Sequence, residues 1–382
     1  MVDKNHFSTK VVHSGLMPDK ITGAVIPPIY MTSTYVQKEP GVHQGFDYSR
    51  ADNPSRQVLE QAYADLENAK YGLAFSSGLA AEQAIIQNLE PGSRILVCDD
   101  VYGGTGRLFR RLFAKYQLDF EFIDMTQDEV VKKAALKKPH LIWVETPTNP
   151  TMKVIDIKKM AKVAKDVNAT LVVDNTFCSP MFQSPLSLGA DIVIHSTTKY
   201  IGGHSDLIGG ALMTSHQEWF EKLKFVQFAA GSIPSPMDCF LLLHSIRTLA
   251  VRMEKHAINA MEVAKFLSDH PKVSKVYFPS LPSHPQHAVY KSQCTSPSGM
   301  LSFDMKGNYS DVVSFLKNLK VFTLAESLGG VESLVNHPEK MTHASVPEDM
   351  RKKLGITSQL IRLSVGIEDA SDLVADLKQA LS

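Results

Sequence analysis

The sequence predicts an α/β protein, with a mostly parallel sheet domain followed by a smaller C-terminal α+β domain. Three observations carry this. Between about residues 73 and 194, short apolar runs alternate with amphipathic stretches, the rhythm of successive βα units. Near residue 235 that rhythm gives way to a long helical stretch. The 382 residues are also enough chain for two or three domains around a sizeable core.

Residues 1–54 lack helical periodicity, because Pro27-Pro28 and the Gly41 region interrupt it, and 30–36 reads as extended. The segment is rich in apolar and aromatic residues, so it reads as an arm crossing a surface, with a disordered tail as the alternative. A helix is expected to begin at Pro54-Ser55, since Val58, Ala62 and Leu66 recur on one face with Leu59 and Tyr63 beside them. Strand 73–75 and helix 79–89 follow. Then come strand 94–98, helix 105–117, strand 120–123, helix 127–138, strand 141–144, helix 156–167 and strands 171–173 and 192–194. Residues 238–269 read as one long helical stretch. Strands 273–278, 300–304 and 360–365 and a polar loop at 291–298 complete the chain. The expected division is an arm over 1–54, a ligand-binding α/β domain over 55–237 and an α+β domain over 238–382.

Lys plus Arg number 40 and Asp plus Glu number 40, a balance that asks for neither nucleic acid nor an anionic membrane. No apolar run approaches the ~20 residues that cross a bilayer, and Met1-Val-Asp-Lys-Asn-His lacks a signal-peptide core. Cys98, Cys178, Cys239 and Cys294 show no C-x-x-C spacing, so neither a disulfide framework nor a zinc site is expected, and the cytoplasm is the simplest address. His284 and His287 follow Pro282 with no carboxylate close by. They read as a surface loop, and no metal site is expected.

The chemistry-bearing stretch is Asp191-Ile-Val-Ile-His-Ser196-Thr-Thr198-Lys199, followed by Gly202-Gly203. Ligands of open α/β sheets sit outside the carboxyl ends of the strands. A lysine amine there, beside hydroxyls able to hold a phosphate, suits a Schiff base with pyridoxal phosphate; a solvated lysine is the alternative. Asp174 ends an apolar strand, where a carboxylate either partners a cationic ring nitrogen or caps a helix. Ser76-Ser77-Gly78-Leu79 sits at a strand-to-helix junction, a phosphate site or a plain capping turn. Tyr102 either stacks on a flat cofactor or packs at the surface. Gly103, Gly104 and Gly106 do not make a dinucleotide fingerprint, because Phe109 stands where its last glycine would be. Asn149, before Pro150, either donates to a phenolate oxygen or forms a turn. Arg362 interrupts an apolar strand, where its fork suits a substrate carboxylate or a structural ion pair.

Together these residues resemble the transsulfuration group of pyridoxal-phosphate enzymes, nearly end to end. The motifs are Tyr48-Ser-Arg50 with Asn53-Pro54, Ser77-Gly78-Leu79, Asp99-Asp-Val-Tyr102-Gly-Gly-Thr, Glu145-Thr-Pro-Thr-Asn-Pro150, Val173-Asp174-Asn-Thr, Ser196-x-Thr-Lys199-Tyr and Ala325-Glu-Ser-Leu-Gly-Gly330. The resemblance implies pyridoxal 5'-phosphate as cofactor and an aspartate-aminotransferase-like fold (fold type I). It implies a homotetramer whose active sites are shared between subunits. It implies that Lys199 holds the cofactor and shuttles protons, that Asp174 pairs with the ring nitrogen and that Tyr102 stacks on the ring. Gly78, Leu79, Ser196 and Thr198 would hold the phosphate, with Tyr48 and Arg50 reaching it from a neighbouring subunit. Asn149, Ser327 and Arg362 would hold the substrate carboxylate, and Glu326 would face the distal amino end. The implied reaction is γ-elimination of L-cystathionine to L-cysteine, 2-oxobutanoate and ammonia. The alternative is synthesis of cystathionine from O-acylhomoserine and cysteine. Gly104, where methionine γ-lyases carry cysteine, and Leu328, where many β-lyases carry tryptophan, favour γ-chemistry on cystathionine. Asp47 and Asp52 stand where similar lyases carry Glu and Gly.

Overall fold

The computed structural model describes residues 6–344 and 346–382, so Met1 to Asn5, on which the arm and leader readings partly rest, lie outside the described residues. In chain order the strands are β1 Tyr71–Phe75, β2 Arg94–Cys98, β3 Asp119–Ile123, β4 Leu141–Glu145, β5 Thr170–Asp174, β6 Ile192–Ser196 and β7 Gly210–Thr214. They continue as β8 Val273–Tyr277, β9 Met300–Met305, β10 Thr323–Leu324, β11 Leu334–Asn336 and β12 Leu360–Ser364. The chain groups into two compact units, Met1–Leu89 with Asp191–Ala250, and Glu90–Ala190 with Val251–Ser382.

In the first unit, β7 pairs antiparallel with both β1 and β6, so β1 and β6 point the same way. The helix Pro54–Glu67 starts where expected. Pro54 needs no N–H partner at its first position, and the Asn53 side chain accepts from the Ser55 N–H. It buries Leu59, Ala62, Tyr63 and Leu66 of the face foreseen from the periodicity and leaves Val58 half-buried. Of the expected arm, 30–36 is tied down by a bridge between Thr34 and Tyr48.

Sequence reasoning assigned nothing to residues 204–237, where β7 and the helix Gln217–Ala230 run. The single stretch expected over 238–269 is two helices, Pro236–Ile246 and Leu249–Asp269. Between them the Thr248 N–H and hydroxyl both donate to the Ser245 carbonyl, at 3.2 and 3.1 Å, a tight closure of the first helix's last turn.

In the second unit, β5, β4, β2 and β3 pair in parallel, the arrangement that the βα rhythm predicts. A further mixed sheet runs in the order β10-β11-β12-β9-β8. Its core gathers Leu301, Phe303, Ile361 and Leu363 with Val263, Leu267, Leu373 and Leu377 from two helices. The expected α/β class with a mostly parallel sheet and a smaller sheet domain therefore holds.

Local departures have local causes. The helix expected over 105–117 is an α-turn Gly103–Arg107, a π-helical segment Leu108–Leu112 and a 3₁₀ turn Phe113–Tyr116. Glycine is a weak helix former, and the wide segment lets Phe109 stack on Phe120 at 4.8 Å and meet Trp143 edge-on at 5.1 Å. The helix His287–Gln293 takes the first residues of the expected 291–298 loop. His284 is buried rather than on a surface loop.

Candidate functional site

The first unit presents a phosphate-type cradle. The Ser77 hydroxyl caps the helix Gly78–Ile86 by accepting from the Ala80 N–H at 3.0 Å, and the Ala81 N–H bonds the Ser77 carbonyl. That leaves the Gly78 and Leu79 N–H groups as the helix's leading donors. A Cβ on Gly78 would stand 3.0 Å from the Ser196 Cβ, so glycine is what lets this turn meet the end of β6. The Thr198 hydroxyl accepts from the Gly209 N–H at 3.0 Å and reaches the Gly209 carbonyl at 3.3 Å. Donation to a phosphate would replace the longer of these contacts. Lys199 follows, its N–H on the Ser196 carbonyl and its own carbonyl accepting from Gly203. This turn fixes where the lysine side chain leaves the backbone.

The end of β6 is itself anchored, since buried His195 and Glu67 meet at 2.6 Å. Tyr48 and Arg50 lie on a segment clamped from behind by Arg56, which is buried and donates to the carbonyls of Ser49 at 2.7 Å and Ala51 at 2.8 Å. Arg50 donates to the Phe228 carbonyl at 2.8 Å and lies over the Phe228 ring.

The second unit presents a carboxylate, an aromatic ring and a buried arginine. Asp174 closes β5 and accepts from the Thr176 N–H at 2.9 Å. Tyr102 is 39% exposed, and its N–H donates to a Glu145 carboxylate oxygen at 2.9 Å. Its ring lies over Gly104, where any Cβ would fall 2.3 Å from a ring carbon. Arg362, in β12, is only 2% exposed. It donates to the Asn149 side-chain oxygen at 3.0 Å and the Ser327 carbonyl at 2.9 Å.

The structure buries this arginine almost wholly and sets two of its N–H groups on Asn149 and Ser327. Its planar fork is of the kind that suits a carboxylate. Ser327 has φ +84°, a left-handed conformation that a non-glycine residue holds at a cost and that often marks functional turns. Glu326 is exposed beside Asn336, whose amide lies 3.4 Å from its carboxylate.

Several supporting residues had not been singled out. Arg56, Glu67, Asp100, Glu145 and His343 are all buried and titratable. Burial, with the Arg362 charge adding to it, pushes His343 down to about 4. Burial pushes the Asp100 carboxyl up, while its threonine hydrogen bonds pull it back. Apart from Glu145, which ends the apolar run of β4, these residues stand among polar neighbours, and the sequence does not reveal which charge is buried.

The residues suit pyridoxal phosphate. Free N–H donors stand at a helix start made tight by glycine, and a lysine stands one turn beyond β6. A carboxylate ends β5, and an aromatic ring is seated on a glycine.

Comparison with known proteins gives the following. A family model described as Cys/Met metabolism PLP-dependent enzyme matches residues 8–382. The chain is 53% identical over 384 residues to a cystathionine gamma-lyase of Dictyostelium discoideum, covering 100% of this chain and 99% of that one. It is 50% identical over 380 residues to a cystathionine beta-lyase of Coxiella burnetii, covering 99% and 98%. A solved structure of cystathionine gamma synthase from Xanthomonas oryzae pv. oryzae, in complex with cystathionine, matches with a TM-score of 0.96 at 42% identity, covering 98% of this chain and 97% of that one.

Proposed function

We propose, for a chain that belongs to the Cys/Met metabolism family of pyridoxal-phosphate-dependent enzymes, the γ-elimination of L-cystathionine to L-cysteine, 2-oxobutanoate and ammonia. This makes it a carbon–sulfur lyase acting on a small amino acid. The observation that carries an amino-acid substrate is the buried Arg362 fork on Asn149 and Ser327. Gly104 and Leu328, together with the full-length likeness to a protein named as a gamma-lyase, support the γ-position.

When bound, pyridoxal phosphate supplies an aldehyde for an amine and a ring that accepts the electron pair left at the substrate Cα. The chain supplies the rest. Gly78 and Leu79 N–H groups, with the Ser196 and Thr198 hydroxyls, would hold the phosphate. Asp174 would keep a positive charge on the ring nitrogen, and Tyr102 would stack on the ring. Arg362, Asn149 and Ser327 hold the α-carboxylate and so orient the Cα–H bond, while Glu326 meets the distal ammonium. Lys199 would hold the cofactor and, with substrate bound, would remove the Cα proton and return protons later in the cycle.

A second reading is synthesis of cystathionine from O-acylhomoserine and cysteine, favoured by the likeness to a solved gamma synthase. The test is product analysis of the purified holoenzyme given cystathionine, and separately O-acylhomoserine with cysteine. Cysteine and 2-oxobutanoate support the lyase. Pyruvate and homocysteine would place the cut at the β-carbon, and dominant cystathionine formation would make the chain a synthase.

Tyr48 and Arg50 are assigned to a neighbouring subunit's phosphate, so the reading includes a homotetramer with shared sites; light scattering that finds an active monomer would sink it. The division into 1–54, 55–237 and 238–382 belongs to the same reading, as arm, cofactor domain and C-terminal domain, and limited proteolysis cutting elsewhere first would redraw it. So does a cytoplasmic address, checked by cell fractionation. Among the described residues no helix is long and apolar enough to cross a membrane, and all four cysteines are free.

A further inference from the structure

Asp100 is fully buried, with no exposed surface. A carboxylate taken out of water is retained only where donors meet it. All its hydrogen bonds go to one turn of the chain. One carboxylate oxygen accepts from the Thr148 hydroxyl at 2.5 Å, the Thr151 hydroxyl at 2.5 Å and the Thr151 N–H at 3.1 Å. The turn is otherwise closed on itself, with the Thr148 hydroxyl accepting from the Lys153 N–H and the Thr148 N–H donating to the Lys153 carbonyl. Asn149, whose side chain holds Arg362, lies between the two threonines. Tyr102 lies two residues beyond Asp100.

The same two segments are tied twice more. Lys153 bridges Asp99 at 2.9 Å, and the Tyr102 N–H meets Glu145 at 2.9 Å. The Lys153–Asp99 pair is partly exposed and screened by solvent, so it contributes little. The buried charge-assisted bonds of Asp100 are the stronger tie.

We propose that Asp100 is a positioning residue: its carboxylate locks the Tyr102 segment to the Thr148–Thr151 turn, setting the ring of Tyr102 and the Asn149–Arg362 pair at once. This rests on the cofactor and substrate roles proposed above for Tyr102, Asn149 and Arg362. The second carboxylate oxygen of Asp100 has no hydrogen-bond partner, so an asparagine can keep all three bonds through its carbonyl oxygen. An alanine keeps none.

The experiment compares holoenzymes of wild type, Asp100→Ala, Asp100→Asn and Thr151→Val. It reads the visible circular dichroism band of bound pyridoxal phosphate, KM and kcat for cystathionine, and melting temperature. Asp100→Ala is expected to lose about half of the circular dichroism band, because the ring's aromatic neighbour is no longer fixed. Its KM should rise about tenfold or more, because Arg362 loses its aimed partner, while kcat changes less. Asp100→Asn should recover most of both losses. Thr151→Val, which removes one hydroxyl donor without changing shape, should show the same pattern more weakly, and it decides the matter if Asp100→Ala does not fold.

A purely structural role predicts lower melting temperatures with the band and KM of the folded protein unchanged, and that result would overturn the proposal. The dichroism readout needs no substrate. A wild type inactive on cystathionine would therefore count against the lyase reading alone, and an unchanged band in the variants against Asp100 alone.

Discussion

Around Gly78 the working atoms are backbone N–H groups at a helix start; around Arg362 they are two side chains and the Ser327 carbonyl, gathered from three separated parts of the sequence. The first group is short-range, with Ser77, Gly78 and Leu79 consecutive and Ser196 brought close only because Gly78 has no side chain. The second depends on Asn149, Ser327 and Arg362, each on its own turn or strand and each bonded to another. A backbone cradle is indifferent to most side chains and is damaged by added bulk. A side-chain cluster buried in apolar surroundings is damaged by the loss of one polar partner, because the others are left unsatisfied.

Lys199 gives the largest expected effect, because it belongs to neither kind of contact and is proposed to carry the proton transfers. Replacing it with alanine should lower kcat by about 10²–10⁴-fold, the range for a positioned proton-transfer group. Borohydride reduction of the wild type should abolish the visible cofactor band and leave the label on Lys199. Mass spectrometry that finds the label on another lysine would remove Lys199 from its role.

Arg362→Lys tests the side-chain half. Lysine keeps the charge but not the planar fork, so one of the two acceptors is lost and a carboxylate is gripped at one point. The expected loss is more than about tenfold in kcat/KM for cystathionine, ~1.4 kcal/mol of transition-state binding, with the cofactor spectrum intact. A variant that melts early yet shows normal KM in its folded fraction would make Arg362 a structural residue.

Gly78→Ala tests the backbone half. Its new Cβ would meet the Ser196 Cβ at 3.0 Å, so the turn and the strand end must part by a few tenths of an ångström. About 1 kcal/mol of overpacking, roughly fivefold in cofactor affinity, is expected in an equilibrium titration of the apoenzyme. An equal loss of cofactor affinity in Arg362→Lys would erase the contrast between the two groups.

A separate effect is on stability against pH, and it belongs to the second unit. Burial pushes His256, His284 and His343 each down to about 4. An unfolded histidine titrates near 6.5, so between those values the unfolded chain binds more protons. The stabilising contribution of the neutral rings is therefore complete above about pH 6.5 and is lost as the pH falls toward 4. Amide exchange in β9 and β12 should quicken over that window, and His343→Gln should flatten the response. An exchange rate indifferent to pH between 6.5 and 4 would contradict the buried neutral rings.

The sequence by itself determined the strands of the parallel sheet, the start of the helix Pro54–Glu67, the α/β class and the residues that end the strands. These are local matters, in which side-chain period, β-branching and Asn53-Pro54 act within a few residues. It also placed Lys199, Asp174 and Gly78 at strand or helix ends, because such ends have residue signatures. Only the tertiary structure decided the rest. β7 is buried on both faces and carries no alternation to read. The break between the helices Pro236–Ile246 and Leu249–Asp269, where the Thr248 N–H and hydroxyl both close on the Ser245 carbonyl, has no proline or glycine to mark it. That Arg362 would be buried on Asn149 and Ser327, and that Asp100 would bond Thr148 and Thr151, follows from segments distant in the chain meeting in space. Periodicity cannot report such meetings, since a charged residue has the same appearance in sequence whether water or a threonine hydroxyl satisfies it.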